Sequence, residues 1–137
     1  MANKIVIDAT NGTLGRLASY AAKQLLLGKE IAIVNCSDAV ITGNKKVILN
    51  KYMEARARGG SSQKGPFFPR SPERIIKRTI RGMLSYKQRR GRDALKRVKC
   101  YNETPTEFEN VKKIKAGKEK TTKTIKLGEI SKVLGWK

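Results

Sequence analysis

The chain has 137 residues, a length that suits one domain, and 39% of them are apolar. That is enough for a core that takes roughly two-thirds of the unfolded surface out of water. It carries 31 Lys and Arg against 11 Asp and Glu, a formal net charge of +20, and no histidine, which removes the usual proton shuttle near neutral pH and the commonest zinc ligand. Cys36 and Cys100 stand far apart with no CxxC, so neither a disulfide framework nor a metal knuckle is expected. They suit small buried thiols, reduced in a cytosolic protein. The opening MANKIVIDAT lacks the basic start and long apolar stretch of a signal peptide, and no apolar run approaches membrane-spanning length. The expected protein is soluble and intracellular, with no membrane partner, cofactor or metal.

Residues 4–9 form a β-branched run that predicts a strand, followed by the turn NGTLG at 11–15. Leu14, Leu17, Ala18, Ala21, Leu25 and Leu26 then recur at helical spacing, and Gly28 supplies a stop. Residues 30–36 are apolar almost throughout, as in a parallel strand covered on both faces. Strand, helix and strand in this order predict a right-handed βαβ unit. The next helix starts at Thr42 or Asn44, with Ile48, Leu49, Tyr52 and Met53 on its buried side.

Periodicity then stops. Residues 56–72 hold paired glycines and three prolines, and they predict a long basic loop extension. A sharp helix start follows, with Ser71 as N-cap, Pro72 at the first position and Glu73 in the positive first turn. Ile75, Ile76, Ile80, Met83 and Leu84 give this helix a buried side. Residues 86–92 predict a basic turn, 93–98 a short helix entered through Asp93, and 98–101 another strand. Residues 112–137 form a lysine-rich tail, extended over 112–126 and docking on the core through Ile130, Leu134 and Trp136. The expectation is a single α/β domain over 1–137, with a small mostly parallel sheet and helices on both faces.

The charge is unevenly placed. Residues 1–53 carry a net +4, 54–99 a net +12, 100–111 a net −3 and 112–137 a net +7. Solubility seldom calls for more than about 8 net charges on a small domain, so the middle third points to a polyanion. Its candidate binding residues are Arg56, Arg58, Lys64, Arg70, Arg74, Lys77, Arg78, Arg81, Lys87, Arg89, Arg90, Arg92, Lys96 and Arg97. Most are arginines, whose planar fork binds phosphate oxygens in pairs. Phe67 and Phe68 suit base stacking or folding back onto the core, with neither favoured. No helix-turn-helix, zinc finger or basic zipper is present to read DNA sequence. Basic, glycine-rich loops beside a compact core suit folded RNA, and residues 56–70 are expected to order on binding it.

The strand–turn–helix at 4–26 invites comparison with the G-x-G-x-x-G dinucleotide fingerprint. Thr10, Gly12 and Gly15 occupy its three positions, and Asp38 stands where a ribose-binding acid would. The first glycine is absent, so the preferred reading is structural: Gly12 for a tight turn, Gly15 for close packing of helix on strand. No P-loop exists, and Asp8, Asp38 and Asp93 suit caps at element ends. Neither an enzyme nor a small-molecule substrate is expected.

Several strings together resemble the large-ribosomal-subunit protein thirteen family. They are GRLAS at 15–19, AKQLLLGK at 22–29, IVNCSDAVITGNK at 33–45, PERIIKRTIRGML at 72–84 and RGRDALKRVKCY at 90–101. The resemblance covers about residues 4–105, and GPFFPRSP with the lysine-rich tail points to the archaeal and eukaryotic branch. Ser85 stands where the family usually has proline after RGML, and Asn102–Glu103 replaces its more usual acidic or polar residue and glycine. The resemblance implies a small α/β fold and a cytoplasmic, non-catalytic constituent of the large subunit. It also implies direct binding to ribosomal RNA, a role in assembly, and neighbouring large-subunit proteins as partners. An extra-ribosomal regulatory RNA binder shares every one of these residue-level features, whereas a nucleotide-binding enzyme rests on the 4–26 turn alone.

Overall fold

The computed structural model describes residues 4–57, 69–85, 87–115 and 123–135, with side chains for all of these except 55–57. Strand β1 (Lys4–Asp8) leads into helix α1 (Leu14–Leu26), which returns to β2 (Glu30–Val34). The two strands pair in parallel from Lys4↔Glu30 to Asp8↔Val34. Leu14, Leu17, Ala18, Ala21, Ala22 and Leu25 form the buried stripe of α1. Leu26 is exposed, contrary to the periodic reading, because it points away from that stripe at the helix end. Gly28, at φ 93°, ends the helix in the left-handed region. Its N–H donates to Leu25 O at 3.0 Å and the Lys29 N–H to Gln24 O at 3.2 Å, the two bonds of a Schellman cap.

Gly12 closes the tight turn expected of it, its N–H donating to Ala9 O at 2.9 Å, whereas Gly15 does not have the role expected of it. Asn11, at φ 58°, takes the left-handed position. Gly15 is exposed, and a Cβ there would meet nothing within 4 Å, so close helix–strand packing does not depend on it. Past β2, Asn35 is also left-handed and opens a 3₁₀ turn, Cys36–Asp38. The short strand β3 (Val40–Thr42) then pairs antiparallel with β5 (Thr124–Lys126). Helix α2 (Lys45–Ala57) starts after Asn44, whose Oδ1 accepts the Lys46 N–H at 2.9 Å. Ile48 is buried and Leu49 and Tyr52 are half-buried, but Met53 is exposed. Residues 56 and 57 are helical, which shortens the expected loop.

Helix α3 (Pro72–Met83) has Ser71 at its N-cap position in extended conformation, with Pro72 opening the first turn. The Ser71 hydroxyl makes no capping hydrogen bond; the cap is conformational. Ile75, Ile76, Ile80 and Leu84 are buried, whereas Met83 is 45% exposed. Helix α4 (Arg89–Lys96) starts after Gln88 and ends just before β4 (Val98–Cys100). It therefore absorbs most of the expected basic turn, and Asp93 lies inside the helix rather than at its entrance. Gly91 and Ala94 are its buried residues. Their small size lets α4 lie close against α1, on which it packs.

Strands β1, β2 and β4 form a three-stranded sheet in the order β1-β2-β4, with β2 central. Its alternation sorts the core. Ile7, Ile31, Ile33 and Val98 face the helical side with α1, α3 and α5 (Leu127–Val133), while Val6, Ala32 and Val34 face the opposite side. That second side is covered by the 3₁₀ turn Thr106–Phe108, where Phe108 packs 5.7 Å from the Tyr101 ring. The fold is α/β with a small mostly parallel sheet. The tail extends the sheet through a parallel bridge between Ile7 and Ile114, and Ile130 and Leu134 dock on the core as expected. Trp136 lies outside the described residues.

Candidate nucleic-acid interface

Helix α3 is amphipathic in an unusual sense: its buried stripe is isoleucine and its outer stripe is cationic. Arg74, Lys77, Arg78 and Arg81 recur at i, i+3, i+4 and i+7, so at 3.6 residues per turn they share one side. Arg74, Lys77 and Arg81 are exposed and Arg78 is half-buried. Ile76 and Ile80 on the other side are completely buried, which prevents the helix from rolling its charges inward. Helix α4 repeats the arrangement with a narrower buried side. Arg89, Arg90, Arg92 and Lys96 are exposed, as is Lys87 just before the helix. Asp93 comes within 3.9 Å of Arg89 Nε, but both side chains are largely exposed, so the pair contributes little.

Arg97 differs from the other candidates. Its Nη2 donates to Leu25 O at 2.6 Å, where the carbonyls at the end of α1 carry partial negative charge. Its Nε is buried with no hydrogen-bond partner. Arg97 thus ties α4 to the end of α1, a role that its position in a basic run does not signal. Arg70 is exposed, with its guanidinium against Gly135. Arg56 lies on α2 by its backbone, and its side chain is not among those described. Arg58, Lys64, Phe67 and Phe68 lie outside the described residues.

The acidic segment forms a separate region. An open hollow of about 570 Å³ is lined by Glu73, Cys100, Tyr101 and residues 102–106. Glu73 Oε2 and Asn102 Oδ1 are buried beside it without partners. Two carboxylates line this hollow, Glu103 from the acidic segment and Glu73 from the first turn of α3.

The strand ends hold no catalytic constellation among the described residues. Burial pushes the Asp8 carboxyl up, but the Thr10 hydroxyl and amide and the Asn35 side chain outweigh that and hold it below its ordinary value. The bonds are 2.7, 3.0 and 3.1 Å long and all converge on Oδ1. This is a turn lock. Because the folded value is the lower one, its stabilisation is present above the ordinary carboxylate range and is lost as pH falls through the folded value. Acidification from about pH 5 to pH 2 should therefore cost the parent more stability than an Asp8→Asn variant, as followed by urea denaturation. Equal losses would exclude the lock.

Both cysteines are free thiols, Cys36 buried and Cys100 half-buried. A hydrogen bond with Cys100, and then burial, push the Cys36 thiol far above its ordinary range, so it is no nucleophile at neutral pH. No cluster of metal-ligating side chains occurs among the described residues. Among them, no helix is long and apolar enough to cross a membrane.

A family model described as ribosomal protein L13 matches residues 2–107, which span the βαβ unit, both basic helices and β4. The chain belongs to the ribosomal protein L13 family. It is 50% identical to the large ribosomal subunit protein uL13 of Methanosarcina barkeri, with 96% of this chain and 98% of the relative covered. The uL13 proteins of Archaeoglobus fulgidus and Methanocaldococcus jannaschii are 47% and 50% identical over 96% of this chain, with 88% and 98% of the relatives covered. The L13 membership agrees with the resemblance seen in the strings at 15–101 and with its archaeal character. The L13 family is one of ribosomal constituents, not of enzymes.

Proposed function

We propose that this chain is a constituent of the large subunit of cytoplasmic ribosomes that binds ribosomal RNA and stabilises its folding during subunit assembly. The observation that carries the reading is the pair of helices whose inner sides are pinned by Ile76, Ile80, Gly91 and Ala94 and whose outer sides carry Arg74, Lys77, Arg81, Arg89, Arg90, Arg92 and Lys96. Rigid helices hold cations at fixed spacing, which suits the phosphates of a folded RNA better than a flexible chain would. The residues of 56–70, Phe67 and Phe68 included, belong to the same proposed surface. Neutralising phosphates where RNA helices meet lowers their mutual repulsion and releases counterions. The acidic segment at 103–109 is left for neighbouring large-subunit proteins.

Salt titration tests the reading. Each neutralised phosphate adds roughly 0.7–0.9 to the log–log slope of affinity against salt, so six to ten contacts lose about 10³–10⁵ in affinity between 50 and 200 mM. Filter binding to large-subunit ribosomal RNA should show a slope of that order. An affinity that hardly moved over the range would overturn the mechanism.

A further inference from the structure

A second cationic feature lies on the sheet itself, away from the outer stripes of the two basic helices. The parallel register sets Lys4 beside Glu30 and Ala32 beside Lys99. Side chains of a strand alternate between faces, so Lys4, Ala32 and Lys99 belong to the side that carries Val6 and Val34. Ala32 is small and fully buried, and it leaves a floor between the two lysines. The result is a hollow of about 140 Å³ lined by Lys4, Glu30, Ala32, Lys96, Arg97 and Lys99 among others. The space is roomy enough for a hydrated phosphate group. Four cations face one carboxylate there.

Two details fix the position of cations around the hollow. Arg97 is held from behind by Leu25 O, while its Nε–H is buried and has no acceptor. A buried charged donor without a partner is unusual in a folded protein. Lys4 Nζ stands 4.8 Å above the Phe108 ring, which holds its position without neutralising its charge. We propose that this hollow binds one backbone phosphate of the RNA, with Lys99 and Lys4 as its side walls and the fixed Arg97 guanidinium charge behind it. The inference rests on the RNA-binding reading. It adds a contact on the sheet face, reached from the end of α4 through Lys96, so that the RNA continues past the helices and around the edge strand β4.

The test uses the full chain and large-subunit ribosomal RNA. Lys99→Gln and Lys4→Gln change exposed side chains and leave Arg97 and its structural bond in place. Each should lower affinity about three- to tenfold at moderate salt, and together they should reduce the salt slope by roughly 0.7–0.9, the loss of one phosphate. Lys99→Arg should restore both. An unchanged slope in the double variant overturns the hollow. If the slope still falls when α3 charges are removed, the RNA-binding reading survives that result; if it falls in neither case, both fail. Inorganic phosphate separates the two sources of the same chemistry. Amide shifts at Ala32 and Lys99 that saturate at millimolar phosphate and vanish in Lys99→Gln would overturn the assignment to RNA in favour of a free-phosphate site. Shifts seen only with RNA support it.

Discussion

Replacing Arg74, Lys77 and Arg81 together by glutamine should weaken binding to large-subunit ribosomal RNA about a hundredfold at 0.15 M salt. The estimate follows from counterion release: three lost phosphate contacts, each worth roughly 0.9 in slope, amount to about two logarithmic units between that salt and 1 M. The fold should be nearly indifferent. All three side chains are exposed on the outer stripe of α3, and surface changes of this kind usually stay within about 0.5 kcal/mol. Filter binding across a salt series, paired with thermal unfolding of the same protein, separates the two effects. A variant that kept parental affinity and slope would remove α3 from the interface. One that lost binding only because it unfolded would reveal itself in the melting curve. Lysine at all three positions should recover most of the affinity, though less than arginine supplies, because an ammonium cannot bind phosphate oxygens as a planar fork.

Ile76→Ala should be among the most damaging single changes in α3 although it touches no charge. Ile76 is completely buried in the main core, and deleting a buried Ile or Leu side chain to alanine costs about 2–5 kcal/mol. Against a typical total of about 5–15 kcal/mol, that is a large share. For a chain of this size it corresponds to a melting point lower by roughly 10 °C. Met83→Ala makes the contrast on the same helix: Met83 is 45% exposed and should shift the melting point little. Equal effects from the two would mean that α3 is not pinned to the core by its isoleucine side. RNA affinity of Ile76→Ala should also fall at temperatures where the native fold is partly lost, since the outer stripe is positioned only while the inner one is seated.

The elements that were legible from residues alone are those with a strong local period or a distinctive end. The α1 stripe from Leu14 to Leu25, the Gly28 stop and the Pro72 start are local properties, and the fold uses all three. Helix α4 begins at Arg89, earlier than the residues RRGR suggest, because that string looks like a basic turn. Glycine weakens a helix in isolation, but Gly91 is one of the two buried residues of α4, the helix that packs on α1. The pairing of β3 with β5 left no local trace. Each strand has three residues, and the partners lie more than eighty positions apart in the chain. Met53 and Met83 sit on apolar periods yet stay exposed, because a period says which side residues share and not how far the covering layer reaches.

The candidate interface divides the same way. Composition and charge placement alone point to 54–99 as the proposed polyanion-binding surface and exclude histidine chemistry, since both depend on which residues are present and how they cluster in the chain. The strings at 15–101 were enough for the family. Strand register and helix seating assigned the individual cations: Arg97 to the end of α1, Arg74, Lys77 and Arg81 to an outer stripe, and Lys4 with Lys99 to a hollow over Ala32. No reading along the chain brings Lys4 and Lys99 together, because their proximity is created by two parallel pairings through β2. Charge is a property of residues, but a binding site is a distance between them, and in this molecule the hydrophobic sides of the sheet and helices set that distance.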